Sequence, residues 1–144
     1  MENLKYKLVT NDREMKGALE VRRRVFVAEQ GISEAVEIDG NDAKALHMVV
    51  MDRQRIIGTA RIRFLANHQA KLERMAILKP LRRGGIGRGI VSFLNNELKK
   101  SGVKRIVLHA QYPVIDFYRS CGFEETGLPF LEAGVKHIRM ERKL

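Results

Sequence analysis

The sequence predicts one domain of the α/β (α+β) class, built on a mixed sheet. Three observations support this. Stretches with strand-like alternation and stretches with helical spacing take turns along the chain. Hairpin patterns fall at Ala45–Met51 with Ile56–Leu65, and again in the tail at 123–132 and 135–142 around Gly134. The chain has 144 residues, 44% hydrophobic and 31% charged, which suits one core and an ordinary folded protein, with a domain spanning 1–144.

Leu4 to Val9 opens the fold as a strand, with Leu4, Tyr6 and Leu8 set against Lys5 and Lys7. Thr10-Asn11-Asp12 is a turn able to cap the next helix. That helix is expected over 13–29, with Met15, Leu19, Arg22/Arg23, Phe26 and Val27 along one side and Arg22-Arg23-Arg24 as a solvated face. Residues 28–45 then turn acidic, with Glu29, Glu34, Glu37, Asp39 and Asp42 outnumbering Lys44. Such a segment in a basic chain suits a polar surface connection or a loop that receives a cationic amine. In the strand at 56–65, Ala60, Ile62 and Phe64 are expected opposite Arg61 and Arg63. After the turn Ala66–Gln69, a strand from Ala70 to Leu78 is ended by Pro80. A helix over 85–100 places Ile86, Ile90, Phe93, Leu94 and Leu98 on one face, then stops at Ser101-Gly102 behind two lysines. Lys104 to Ala110 reads as a buried strand, and Pro113 and Gly122 bracket a short helix.

Between the strand and the second long helix lies Arg82-Arg83-Gly84-Gly85-Ile86-Gly87-Arg88-Gly89. A helix start offers free N–H groups and a positive dipole end, glycine permits close approach, and the arginines add charge. The stretch is a diphosphate cradle in chemical terms. It is not a P-loop, because Gly87 is followed by Arg88-Gly89 and not by Lys-Ser/Thr. It is not a dinucleotide fingerprint either, because Ile90 stands at the third glycine position and no acidic residue lies in 103–110.

The spacing Arg82-x-x-Gly85-x-Gly87 resembles the pyrophosphate loop of the GCN5-related N-acetyltransferases, the GNAT family. Gln111-Tyr112-Pro113-Val114-Ile115-Asp116-Phe117-Tyr118-Arg119-Ser120-Cys121-Gly122-Phe123 looks like the family's later Phe-Tyr and Gly-Phe motif. Val25–Gln30 and Gly134–His137 look like the small bacterial ElaA/YjcF-like branch. The resemblance covers essentially the whole chain. It implies a mostly antiparallel twisted sheet flanked by helices, splayed between the strand at 70–78 and the strand at 104–110, with the pantetheine arm in the cleft. It implies acetyl transfer from acetyl-CoA, as co-substrate, to a primary amine in a ternary complex. A non-catalytic acyl-CoA sensor is the alternative.

The resemblance also assigns roles. Cofactor contacts fall to Arg82, Arg83, Gly84, Gly85, Ile86, Gly87 and Arg88 at the pyrophosphate, and to backbone N–H groups of Met75, Ala76 and Ile77 at the pantetheine and the thioester carbonyl. Tyr118 stands where the family places a tyrosine facing the cofactor sulfur. A phenol is protonated at neutral pH and can act as general acid. Gln111 stands where many relatives carry an asparagine that contacts the pantetheine amide. For the general base, Glu73 matches a glutamate of some relatives, with Glu29 and Glu37 as rivals and a water chain as a further route. Glu29 and Glu37 are also the candidates for binding the acceptor.

The totals exclude other classes. Cys121 is the only cysteine, so an internal disulfide and a CxxC zinc site are impossible, and the residue is read as a buried structural thiol. His47, His109 and His137 lack H-x-x-x-H spacing, and no metal is expected. No apolar run approaches the roughly 20 residues a membrane helix needs, and the N-terminus carries no signal pattern, so a cytoplasmic protein is expected. The formal charge of +10 attracts anions. A nucleic-acid partner is not expected, because no zinc-finger, RRM or KH signature and no Lys/Arg block of five or more accompanies the charge. The acceptor is expected to be a small-molecule or peptide amine, and a homodimer is an expectation at the level of the family.

Overall fold

The computed structural model describes residues 3–144; Met1 and Glu2, which begin the expected domain, lie outside the described residues. Seven strands form one sheet: β1 (Leu4–Leu8), β2 (Leu46–Asp52), β3 (Arg55–Leu65), β4 (Gln69–Ile77), β5 (Arg105–Gln111), β6 (Glu124–Glu132) and β7 (Val135–Lys143). Their order is β1-β2-β3-β4-β5-β7-β6, and every pairing is antiparallel except β4 with β5. The helices are α1 (Asp12–Arg22), α2 (Glu34–Glu37), α3 (Ile86–Lys100) and α4 (Ile115–Ser120). The expected mixed sheet with flanking helices is therefore present.

The first long helix begins as expected. Asn11 caps it, accepting from the Glu14 N–H at 2.8 Å. It then continues past Arg22 as widened π-helical turns over Arg23–Glu29. Its buried stripe differs from the expected one. Ala18, Val21, Arg22 and Val25 face inward, whereas Leu19 is 36% exposed. The physical reason is Gly17, where an added Cβ would sit 2.3 Å from Ile56 Cδ1. Small residues let the helix close against β3, so the stripe runs through them and not through the largest side chains.

The sheet separates two populations of side chains. Register pairs Arg61 with Glu73, Arg63 with Lys71, and Lys71 with Val107, so these residues and His109 share one face. Helix α1 lies on that face, because its Arg22 shares Asp42 with Arg61. Ala60, Ile62, Leu72, Ile106 and Leu108 point to the other face, where they join Leu94 and Leu98 of α3 in the core. Helix α4 also lies there, since Arg142, the partner of Ile106, donates to the Cys121 carbonyl at 2.6 Å.

Two features shape the middle of the sheet. Strands β4 and β5 are paired only from Gln69 with Arg105 to Leu72 with Leu108, and beyond this point they part. This is the expected splay. Along its other edge β4 carries a bulge: Glu73 pairs with Arg61 and Ala76 with Thr59, so Arg74 and Met75 together oppose Ala60. Arg74 takes φ +52°, a conformation L-residues enter at a cost, and the bulge re-aims the end of β4.

Candidate active site

Where β4 and β5 part, a cleft of about 420 Å³ opens, crossing from one face of the sheet to the other. Met75, Leu108 and Tyr118 line it on the α4 side, and Glu73, His109 and Glu132 on the α1 side. Tyr118 is 8% exposed, and its hydroxyl donates to Met75 Sδ at 3.8 Å. Burial pushes its phenol pKa up, so the group stays protonated at any physiological pH. Phe117 and Phe123 meet its ring edge-on, at 5.1 and 5.8 Å between centroids, and fix its direction.

The glycine-rich loop adjoins this cleft. Gly85 stands at the N-cap of α3 with φ +85°, a left-handed position that glycine occupies freely. One turn in, Gly87 packs under Phe117, whose Cζ would lie 3.1 Å from an added Cβ, and Phe117 itself lines the cleft. The three arginines have different surroundings. Arg83 is exposed. Arg88 donates to Ser120 Oγ at 2.9 Å. Arg82 donates to the Ile77 carbonyl at 2.9 Å and forks onto Glu29 at 2.6 and 2.7 Å, tying the end of β4 to the π-helical turns.

That fork places Glu29 beside the glycine loop and away from the cleft lining. The hydrogen bond from Arg82 lowers its pKa, so it is a spoken-for anion in a position unlike the acceptor site expected of it. Glu37 does line the cleft, but it is 4% exposed and held by Arg22 at 2.8 and 3.0 Å and by Arg74 at 2.6 Å. Arg22, expected on a solvated face, is thus 1% exposed; only Arg23 and Arg24 are solvated. The reason is pairing across the fold, which helical periodicity does not report.

Glu73 has a similar environment. One carboxylate oxygen accepts from Arg63 at 2.9 and 2.6 Å and the other from Arg61, with Lys71 3.3 Å away. Burial works to raise its pKa, but the hydrogen bonds from Arg63 and Arg61 outweigh this and hold it below the usual carboxylate range. A carboxylate so held is a weak proton acceptor, which argues against the base role. Arg61 is fully buried and also grips Asp39 and Asp42, while Phe64, on the opposite face as expected, is 53% exposed. Most of the acidic segment is thus neutralised by arginines from α1, β3 and β4.

The remaining side chains at the cleft include a group that single-residue scanning did not assemble. His109 Nδ1 meets Glu132 Oε1 at 3.1 Å. His137 donates from Nδ1 to the Val135 carbonyl at 2.7 Å, with Nε2 at 3.7 Å from Glu132 Oε2. Phe130 packs edge-on to His109 and stacks on His137. The sequence pattern bears on the two histidines only through metal-ligand spacing and does not single out Glu132. No local signal joins positions 109 and 132; the hairpin β6–β7 does. Cys121 is buried at the end of α4, on the opposite face from His109. Gln111 donates to Gln30 Oε1 at 3.0 Å across the cleft mouth. Among the described residues, no group of three or more His, Cys, Asp or Glu could hold a metal ion, and no helix is long and apolar enough to cross a membrane.

A sheet split between its two parallel strands, with a glycine-rich helix start at the split, defines a class of acyl-CoA-handling folds, and comparison with known proteins agrees. The family model described as Acetyltransferase (GNAT) domain matches residues 6–144. The chain is 37% identical to the uncharacterized protein YyaT of Bacillus subtilis, over 96% of this chain and 95% of that one. It is 33% identical to the uncharacterized N-acetyltransferase YjcF of the same organism, over 95% and 98%. In fold it is similar to the crystal structure of Escherichia coli ElaA, with TM-score 0.86 at 24% identity over 96% and 99% of the two chains. It also resembles a GNAT family acetyltransferase from Elizabethkingia anophelis with acetyl-CoA bound, with TM-score 0.79 at 14% identity over 100% of each. The chain belongs to the GNAT acetyltransferase family, in its ElaA/YjcF-like branch.

Proposed function

We propose that this acyltransferase moves an acetyl group from acetyl-CoA to a primary amine by direct attack in a ternary complex. The observation that carries the reading is the edge of β4 from Glu73 to Ile77, which has no strand partner on the β5 side and ends beside the N-terminus of α3. A pantetheine arm lying in the split would find the backbone of Met75, Ala76 and Ile77 along one side. Its diphosphate would reach the N–H groups from Gly84 to Arg88, with Arg83 and Arg88 adding charge. Arg82, held by Glu29, braces this loop. Gln111 would exchange Gln30 for the pantetheine amide. The amine nitrogen forms its bond to the acetyl carbon as the C–S bond breaks, and the Tyr118 phenol donates its proton to the departing thiolate. Glu37 shapes the acceptor wall as part of an ion-paired group.

The test is calorimetric titration with acetyl-CoA and dephospho-CoA, on the native protein and on Gly85→Asp. One-to-one saturable binding is expected, weakened at least roughly tenfold by an anion placed at a strained, phosphate-facing position. In a screen of small and peptide amines, Tyr118→Phe is expected to cut turnover by roughly 10²-fold with acetyl-CoA affinity nearly intact. Equal losses in rate and affinity would argue against the acid role. Binding without transfer to any amine would leave an acyl-CoA sensor.

A further inference from the structure

The acetyl transfer proposed above needs a group to take a proton from the acceptor ammonium, and the carboxylates nearest the cleft on β4 and α2 are already engaged by arginines. We propose that His109 is this general base, acting through Nε2, with Glu132 as the residue that positions it. The assignment rests on the acetyl-transfer reading and deepens it.

Three observations support it. First, the tautomer is set. A carboxylate only accepts, so the 3.1 Å contact to Glu132 Oε1 requires the proton on Nδ1 and leaves the lone pair on Nε2. Glu132 is charged under these conditions, since the hydrogen bond from His109 outweighs burial and lowers its pKa. A carboxylate behind an imidazole both orients the ring and stabilises the imidazolium that proton transfer creates. Second, the position suits the chemistry. His109 is the residue after Leu108, the last of β5 to pair with β4, so it stands at the mouth of the split. It lies on the α1 face, whereas Tyr118 enters from α4 on the other face. Base and acid therefore flank the cleft, as attack by an amine on one side of a thioester and departure of the thiolate require. Third, the ring is held. Phe130 packs against it at 4.8 Å between centroids, and Glu132 is fixed by the two-residue turn Ala133-Gly134, whose φ values of +52° and +72° suit a tight hairpin. The charged and titratable neighbours of His109 are Lys71 from β4, Glu132 from β6, and His137 and Arg139 from β7.

The proton balance is complete. Nε2 takes one proton from the ammonium and later releases it to solvent. The amine forms the C–N bond, the C–S bond breaks, and the second nitrogen proton leaves to solvent as the amide forms. The thiolate takes the Tyr118 proton, and the phenolate takes one back from solvent, so that one proton is released per transfer.

Two measurements test the assignment. Histidine nitrogen NMR on the native protein should show His109 as the Nδ1–H tautomer at alkaline pH, and Glu132→Gln should perturb that signal. An Nε2–H tautomer in the native protein overturns the proposal whatever the activity. In transfer assays, His109→Gln should lower kcat/KM at neutral pH by roughly 10²-fold or more. It should remove the acidic limb of the pH profile, regain rate at high pH where the amine is free, and leave the acetyl-CoA dissociation constant within about twofold. Glu132→Gln should lose about tenfold or more in the same direction. If His109→Gln keeps its rate and its acidic limb, the base assignment fails while the acetyl-transfer reading stands. A native protein that neither binds acetyl-CoA nor acetylates an amine overturns both.

Discussion

Two walls of one cleft carry carboxylates, and they are built in opposite ways. On the β4 side, Glu37, Asp39 and Glu73 line the cleft with Arg63 and Arg74, backed by Asp42, Arg22 and Arg61, and each acid is gripped by at least one guanidinium. On the β5 side a single carboxylate, Glu132, stands behind the His109 imidazole, with His137 Nε2 3.7 Å from its other oxygen. The carboxylates of the first wall are engaged by guanidinium groups; on the second, the proposed tautomer leaves the Nε2 lone pair of His109 for the substrate proton. An acidic residue near a reaction site is thus not a base by proximity, because what decides is whether its partners have already taken the lone pairs that chemistry needs.

The largest effect should come from breaking the saturated wall. Arg61→Leu leaves Asp39, Asp42 and Glu73 without their shared buried cation, and stability should fall by about 3–5 kcal/mol, read as a lower midpoint in urea unfolding. A loss under about 1 kcal/mol would show the wall to be solvated and its ion pairs marginal.

Acid should distinguish the walls next. Hydrogen bonds from Arg61 hold Asp39 below its ordinary range, and those from Arg63 and Arg61 hold Glu73 down despite burial. Their folded pKa values lie below the unfolded ones, so the unfolded chain binds more protons as pH falls. The stabilisation is complete above the unfolded values near ~4 and is lost as pH drops below them. Unfolding midpoints measured from neutral to acid pH should fall steeply below about pH 4–5. Glu73→Gln should flatten that slope and cost about 1–3 kcal/mol. If Glu73→Gln instead changes the pH profile of transfer, Glu73 takes the base role away from His109.

The smallest effect should come from the hairpin that supports the open wall. Gly134 sits at φ +72°, so Gly134→Ala should cost about 1 kcal/mol in thermal unfolding. It should also weaken the His109–Glu132 contact, seen as a broadened histidine signal. An unchanged signal would mean that Phe130 alone holds the ring.

What the sequence determined by itself was set by local patterns. Alternation placed seven strands, helical spacing placed α3, Asn11 announced the cap of α1, and the run from Arg82 to Gly89 marked a phosphate-facing helix start. These follow from periods of two and 3.6 residues and from the backbone freedom of glycine, which neighbours in the chain can encode. Tertiary structure alone decided which charges are free. Arg22 reads as a surface residue because isolated charges belong in water, yet it and Arg61 are each buried among acids brought from 12 to 22 positions away. Leu19 and Phe64 are large and apolar yet exposed, because Gly17 set the depth of α1 and the sheet left the end of β3 open. The His109–Glu132 contact spans 23 positions and exists because β7 carries β6 back beside β5. Burial and pairing are sums over neighbours that meet only after folding, so the availability of a lone pair is a property of the fold and not of any stretch of sequence.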